Sequence, residues 1–104
     1  MRVVILVTAS SKEEARKIAN KLVSDKLAAC VNIIDGVESL FWWEGKVDCA
    51  SESLLVIKSK KEKLKSIIKV VRSVHSYTVP EIIALPIVSG DKPYLRWIDE
   101  SLSR

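Results

Sequence analysis

The chain has 104 residues, which is enough for one domain and too few for two, so we predict a single domain over residues 1–104. Hydrophobic residues make up 48% and charged residues 29%, a balance that excludes a disordered chain and favours a soluble globular one. The net charge of +4 is concentrated between Lys58 and Arg72, a stretch we interpret as a solvated helix face rather than a nucleic-acid surface.

The sequence also bears on location. No apolar run is long enough to span a membrane, and Val3–Val7 is too short for the core of a signal peptide, which predicts a cytoplasmic protein. Cys30 and Cys49 are therefore expected to be free thiols rather than a disulfide.

The first two elements are predicted from hydrophobic pattern and capping. Val3–Val7 is an uninterrupted aliphatic run, typical of a central strand buried on both faces. Ser11 followed by Glu14 predicts a capping box at the start of a helix. Apolar residues then recur at helical spacing, at Ala15, Ile18, Ala19, Leu22 and Val23.

A long hairpin is predicted from about Ala28 to Lys60, with its turn at Gly45 and a bend at Gly36. Side chains of a strand alternate between its faces, which places Phe41 and Trp43 on one face and Leu40 and Trp42 on the other. Both faces of the tip are then apolar. Since such rings are not expected to remain in water, we predict that other copies of the chain cover them.

The second half of the chain predicts a helix, a strand and a final helix. Ser59 with Glu62 predicts a second capping box. The helix behind it has apolar residues at Leu64, Ile67, Ile68, Val71 and Val74. The last strand, Glu81–Val88, contains Pro86 and is expected at a sheet edge or with a bulge, because proline has no N–H to donate. Asp91 is predicted to cap a short terminal helix.

This order of elements predicts an α+β fold made of two βαβ halves, the split βαβ or ferredoxin-like arrangement, with a long hairpin and a short C-terminal helix. Right-handed crossovers would place the first and third strands in the middle of an antiparallel sheet and the first hairpin arm at an edge. An open edge beside exposed tryptophans favours pairing with a neighbouring chain.

Few residues of the chain have side chains suited to metal binding or catalysis. His75 is the one histidine and follows a predicted helix C-terminus, which stabilises the imidazolium. Cys30 lies in an apolar strand, where a small buried hydrophobe is the simpler interpretation. A Cys–His pair is able to bind copper or another soft or borderline metal, or to act as nucleophile and base with Glu52 as orienter. The sequence has no C-x-x-C or H-x-x-x-H motif and no glycine-rich phosphate loop.

Over nearly its whole length the chain resembles the CutA family of divalent-cation-tolerance proteins. The matching segments are Val3–Ala9, Lys26–Asn32, Trp43–Val47, Ile57–Ser59, His75–Ile82, Leu85–Ile87 and Tyr94–Trp97. The resemblance implies a ferredoxin-like protomer in a homotrimer whose hairpins pair with neighbouring subunits, similar to the PII signalling proteins. It also implies a link to copper and heavy-metal tolerance, with no firmly attached catalytic activity. We expect no required cofactor, and from the charge and hydropathy patterns we expect neither nucleic acid nor membrane as a partner.

The resemblance implies, residue by residue, a cluster of metal ligands made of Cys30, Glu52 and His75. It further implies that Tyr77 and Trp43 line the same crevice. Four positions depart from the family pattern: Ser76 replaces a proline, Thr78 stands where an acidic or amide residue is common, and Val7 and Val74 stand where some bacterial members have Cys and His. Copper binding is therefore expected to be weak and to involve sites between subunits.

Two alternatives remain open at this point. In the first, the chain is a PII-like regulatory module whose subunit crevice takes a small organic anion or a partner protein. In the second, it is a thiol hydrolase that uses Cys30, His75 and Glu52. The distance between Cys30 and His75 tests the second alternative, because a nucleophile and its base must lie within hydrogen-bond reach.

Overall fold

The predicted order of elements is confirmed in the computed structural model, which describes residues 1–103. The strands are β1 (Arg2–Ala9), β2 (Cys30–Trp43), β3 (Lys46–Lys60) and β4 (Ile82–Pro86). The helices are α1 (Lys12–Ser24), α2 (Leu64–Val74) and α3 (Lys92–Leu102), and a 3₁₀ turn (Lys61–Lys63) precedes α2. Within residues 1–103, none of the helices is both long enough and apolar enough to cross a bilayer.

The strands form one antiparallel sheet in the order β2-β3-β1-β4. The first and third strands are therefore central, as predicted, and β2 is an edge. The other edge is β4, which contains Pro86, so the missing N–H of this residue faces no further strand of the chain. This is the predicted α+β, ferredoxin-like architecture.

The core lies between one face of the sheet and the helices α1 and α2. Alternation along β1 buries Val3, Ile5, Val7 and Ala9 on that face. Buried partners come from β3 and the two helices, namely Leu55, Ile57, Ala15, Ile18, Leu22, Ile67 and Val71. The apolar stripe of each helix thus packs where the sequence predicts it.

The prediction that β1 is buried on both faces is wrong for this chain. Val4, Leu6 and Thr8 on the second face are only partly buried, because α1 and α2 cover the first face alone. Helix α3 reaches the Arg2 end of the second face, where the Arg2 guanidinium donates to Asp99 at 2.7 Å. This hydrogen bond lowers the pKa of Asp99.

The second capping box is also wrong. Ser59 continues the alternation of β3, so its side chain is buried and its hydroxyl donates to the Leu27 carbonyl at 2.6 Å. Helix α2 begins only at Leu64, and none of the described side chains caps it. Glu62 instead approaches the amino group of Met1 at 3.7 Å. At the start of α3, Asp91 occupies the predicted cap position, but its side chain makes no capping bond with the described residues.

The hairpin β2–β3 extends well beyond the core and contributes to a longest dimension of 44 Å. Glu44 and Gly45 both have positive φ, at 50° and 78°, which is the pattern of the two-residue turn that matches strand twist. The predicted bend is present at Gly36, where φ is 71° and the strand register shifts. One face of the tip is widely exposed, with Leu40 at 69%, Trp42 at 74% and Val47 at 61%.

Candidate functional site

A crevice of about 1000 Å³ lies between the hairpin and the loop that follows α2. Phe41 and Trp43 line it from β2, Glu52 lines it from β3, and Tyr77 lines it from the loop. A second cavity of about 470 Å³, beside α3, contains none of the predicted site residues. The larger crevice is therefore the candidate site.

Glu52 is the most buried acidic side chain of the crevice, at 7% exposure. The Tyr77 hydroxyl donates to its Oε2 at 2.8 Å. Within residues 1–103, Glu52 forms no ion pair, and Tyr77 is the one side chain that hydrogen-bonds to it. A buried carboxylate without a cation is costly, so Glu52 marks a point where a bound cation would be stabilised.

Tyr77 is held as a hydrogen-bond donor to Glu52. Burial raises the pKa of the Tyr77 phenol, and the hydrogen bond to the Glu52 carboxylate raises it further, to about 12. The phenol consequently remains protonated at neutral pH and keeps the Glu52 carboxylate in place.

His75 fixes the direction of the loop. It caps the C-terminus of α2, and its side chain is fully buried. Nε2 lies 2.6 Å from the Thr8 carbonyl, and Nδ1 accepts the Tyr77 N–H at 3.0 Å. These partners assign the neutral tautomer with the proton on Nε2. Both ring nitrogens are engaged, so His75 positions Tyr77 and does not present a free nitrogen to the crevice.

Glu14 lies outside the lining of the crevice and supports the loop that carries Tyr77, a role that the capping pattern alone does not predict. Its N–H donates to Ser11 Oγ at 3.1 Å, so one half of the predicted capping box is present. Its carboxylate instead accepts the N–H groups of Ser10 and Ser76, each at 3.0 Å. Burial raises the pKa of Glu14, but these hydrogen bonds outweigh that effect and the pKa is lowered. Glu14 thus ties α1 to the loop that carries His75 and Tyr77.

Cys30 lies away from the crevice. Its Sγ is 3.8 Å from the Lys58 ammonium and 3.8 Å from Asn32 Oδ1. Lys58, which contacts Cys30, is paired with Val4 on β1, whereas His75 contacts Thr8 on the same strand. Val4 and Thr8 are four residues apart, which separates the two contact points by about 13 Å along β1. Within one protomer, the structure brings Glu52, Tyr77 and His75 together and leaves Cys30 out.

No three His, Cys, Asp or Glu side chains within residues 1–103 are arranged to hold a metal ion. The crevice is nevertheless strongly acidic. Four carboxylates line it, from Glu38, Asp48, Glu52 and Glu81, and no lysine or arginine of the described residues does. The whole chain has 17 lysines and arginines and a net charge of +4, so the charges are segregated, and the crevice favours a cation. The sequence does not identify Asp48 or Glu81 as site residues, because no sequence motif links them.

Comparison with known proteins gives one consistent result. A family model described as CutA1 divalent ion tolerance protein matches residues 3–101. The Divalent-cation tolerance protein CutA of Archaeoglobus fulgidus is 48% identical over 98 residues, which are 94% of this chain and 95% of that protein. Protein CutA 1, chloroplastic, of Oryza sativa is 46% identical over 95% of this chain. The chain spans about half the length of this rice relative, 56%, and of its Arabidopsis thaliana counterpart, 54%.

Solved structures agree with these relatives. A structure of the Periplasmic divalent cation tolerance protein CutA from Archaeoglobus fulgidus has a TM-score of 0.96 at 47% identity, covering 99% of this chain and 100% of that one. The Divalent cation tolerance protein (Cut A1) from Thermus thermophilus has a TM-score of 0.95 at 44% identity, with 97% and 98% coverage.

Proposed function

The chain belongs to the CutA1 divalent ion tolerance protein family, and on that premise we propose that it is a homotrimer that binds divalent cations, copper(II) among them, in the acidic crevice. Binding of this kind would give the protein a direct part in metal-ion tolerance. No further cofactor is part of the proposal.

The observation that carries the proposal is the buried carboxylate of Glu52 in a crevice without a lysine or arginine among the described residues. Four carboxylates along one crevice create a negative potential that concentrates cations. Carboxylate oxygen is a ligand for divalent metals, and copper(II) accepts oxygen and nitrogen donors. In this proposal Glu52 is the anchoring ligand and water completes the coordination, so binding is weak.

The other predicted ligands have different roles here. His75 positions Tyr77, and Tyr77 in turn holds Glu52 through the hydrogen bond to Oε2. Cys30 lies outside the crevice of its own protomer, so it would reach a bound metal only from a neighbouring subunit. Cys49 is an exposed free thiol in the lining of the crevice, and it is paired with Leu40 on the strand face opposite Glu52.

The trimer is supported by the hairpin. Leu40, Trp42 and Val47 form one exposed apolar face, because Trp42 is paired with Val47 and alternation places Leu40 on the same side. An apolar face at the end of an edge hairpin is stabilised when sister copies cover it. Glu52 and Phe41 of the proposed cation site alternate to the other face of the ribbon, but Leu40 and Trp42 also line the crevice, so the contact between copies adjoins the cation site.

Two alternatives fit less well. An organic anion in the crevice would face four carboxylates and no lysine or arginine among the described residues. A thiol hydrolase needs Cys30 within reach of His75, and the two are separated by about four residues of strand within one protomer. We therefore assign no catalytic role.

Copper(II) titration followed by calorimetry and electron paramagnetic resonance tests the proposal. In the Glu52→Gln variant we expect copper affinity to fall about tenfold, since the anchoring charge is lost while the shape is kept. Glu100→Gln, the same change at an exposed site on α3, should bind as the wild type does. Wild-type affinity and an unchanged copper spectrum in Glu52→Gln would overturn the assignment of the crevice.

We also propose a cytoplasmic location, supported by the two free thiols, which persist in a reducing compartment. Fractionation of cells that express the protein tests this, and recovery outside the cytoplasmic fraction would contradict it.

A further inference from the structure

The crevice is larger than a metal ion requires. At about 1000 Å³ it matches the upper range of pockets that take organic molecules. Among the described residues, no three metal-ligating side chains are close enough to one another to surround a single metal ion. A bare divalent cation would therefore occupy only one part of the crevice.

The two carboxylates from β3 are separated along the strand. Glu52 and Asp48 are four residues apart, so alternation places them on the same face about 13 Å from each other. Glu52 lies at the buried end, whereas Asp48 is exposed near the hairpin turn. One Asp48 oxygen accepts the Cys49 N–H at 2.8 Å, and the other oxygen makes no hydrogen bond with the described residues.

Aromatic rings occupy the wall beside these charges. Phe41 is directly opposite Asp48 on the neighbouring strand, and Trp43 follows on the same face. Both rings line the crevice and remain partly exposed, at 38% and 48%. An aromatic face attracts an ammonium group and also packs against an alkyl chain.

From this spacing we infer that the crevice binds a linear organic polycation, an aliphatic diamine or polyamine. One ammonium group pairs with Glu52, the other pairs with Asp48, and the alkyl chain lies across Phe41 and Trp43. The inference rests on the crevice of the proposed function but concerns another class of ligand, because it requires two separated charges and a metal ion requires one anchor.

Calorimetric titration with 1,8-diaminooctane and with 8-amino-1-octanol at equal ionic strength tests the inference. The two ligands have the same chain length, and only the first has a cation at both ends. We expect the diamine to bind about tenfold tighter than the amino alcohol. Equal affinity for the two ligands, or no binding of the diamine, would overturn the inference.

Two variants separate this inference from metal binding. Asp48→Asn should reduce diamine affinity to that of the amino alcohol, and it should lower copper(II) affinity much less than Glu52→Gln does, because Asp48 is about 13 Å from the anchoring carboxylate. Glu52→Gln should weaken both ligands, and Glu100→Gln should weaken neither. If the diamine binds and copper does not, the proposed metal function fails while this inference stands. If copper alone binds, or Asp48→Asn leaves diamine affinity unchanged, the inference fails.

Discussion

Tyr77 and Glu52 depend on each other at the scale of single residues. The phenol gives the buried carboxylate its side-chain hydrogen bond at 2.8 Å, and the carboxylate helps to keep the phenol protonated. A carboxylate that is buried without a donor loses much of the solvation that stabilises its charge. The stability of the crevice wall is therefore concentrated in one contact.

Replacing Tyr77 by Phe should lower the free energy of unfolding by about 1.5–3 kcal/mol, because a hydrogen bond to a charged group is lost inside the crevice. Urea denaturation at pH 7 measures this. Tyr94→Phe is the matched control, since Tyr94 is 43% exposed and should lose much less. Equal losses in the two variants would contradict the role given to Tyr77.

Glu14 makes the loop sensitive to acid. Its folded-state pKa is lowered from 4.5, so its contribution to stability is fully present above pH 4.5 and is lost as the pH falls through the folded pKa. We expect Glu14→Gln to cost about 1–2 kcal/mol at pH 7 and progressively less below pH 4.5. Urea denaturation across this range measures the difference. Glu13→Gln, the same change at an exposed neighbour on α1, serves as the control and should cost much less at pH 7. If Glu14→Gln lost the same free energy of unfolding at every pH, the stability of the loop would not depend on ionised Glu14.

At the scale of secondary-structure elements, the stability of the hairpin turn depends on the residue type at Gly45. Gly45 has a φ of 78°, in the left-handed region that a side chain disfavours. Gly45→Ala should therefore lower the free energy of unfolding by about 1–2 kcal/mol. Glu44 also has a positive φ, of 50°. Glu44→Asn should therefore raise the free energy of unfolding, since asparagine tolerates this region. Thermal unfolding of both variants measures the two changes in stability. An increase in the stability of Gly45→Ala would show that the turn differs from the one described.

Elements that depend on local pattern were predictable from the sequence. The periodicity of Ile18, Leu22, Ile67 and Val71 predicts both core helices, and Gly45 predicts the turn. Ser59 was misassigned because its pattern also fits a helix cap, and only pairing of β3 with β1 shows that the strand continues through it.

The candidate site was less predictable, since it depends on contacts between distant residues. Glu14 and Ser76 are 62 positions apart, and no local pattern joins them. Cys30 and His75 have suitable chemistry for one site, but the register of β2 against β3 places Cys30 toward the opposite end of the sheet from Thr8 and His75. Residue type indicates what a side chain is able to do, and strand register decides what it meets.

At the scale of the whole molecule, the exposed face of the hairpin favours association between copies, and the proposed assembly is a trimer. Light scattering at micromolar concentration should give three times the protomer mass. Trp42→Lys should reduce the assembly to smaller species, because a charge would be buried in the apolar contact. Val23→Lys, at an exposed hydrophobic position on α1, should leave the mass unchanged. A folded wild-type protein with the mass of a single protomer would disprove the trimer.

The end of the hairpin contributes almost nothing to the interior of its own chain, since Leu40, Trp42 and Val47 all lie outside the core. In the proposed trimer, natural selection at these positions acts through contacts between molecules rather than through the folding of one of them. Two diverged copies in the same cell would need to change only this ribbon end to stop forming mixed assemblies.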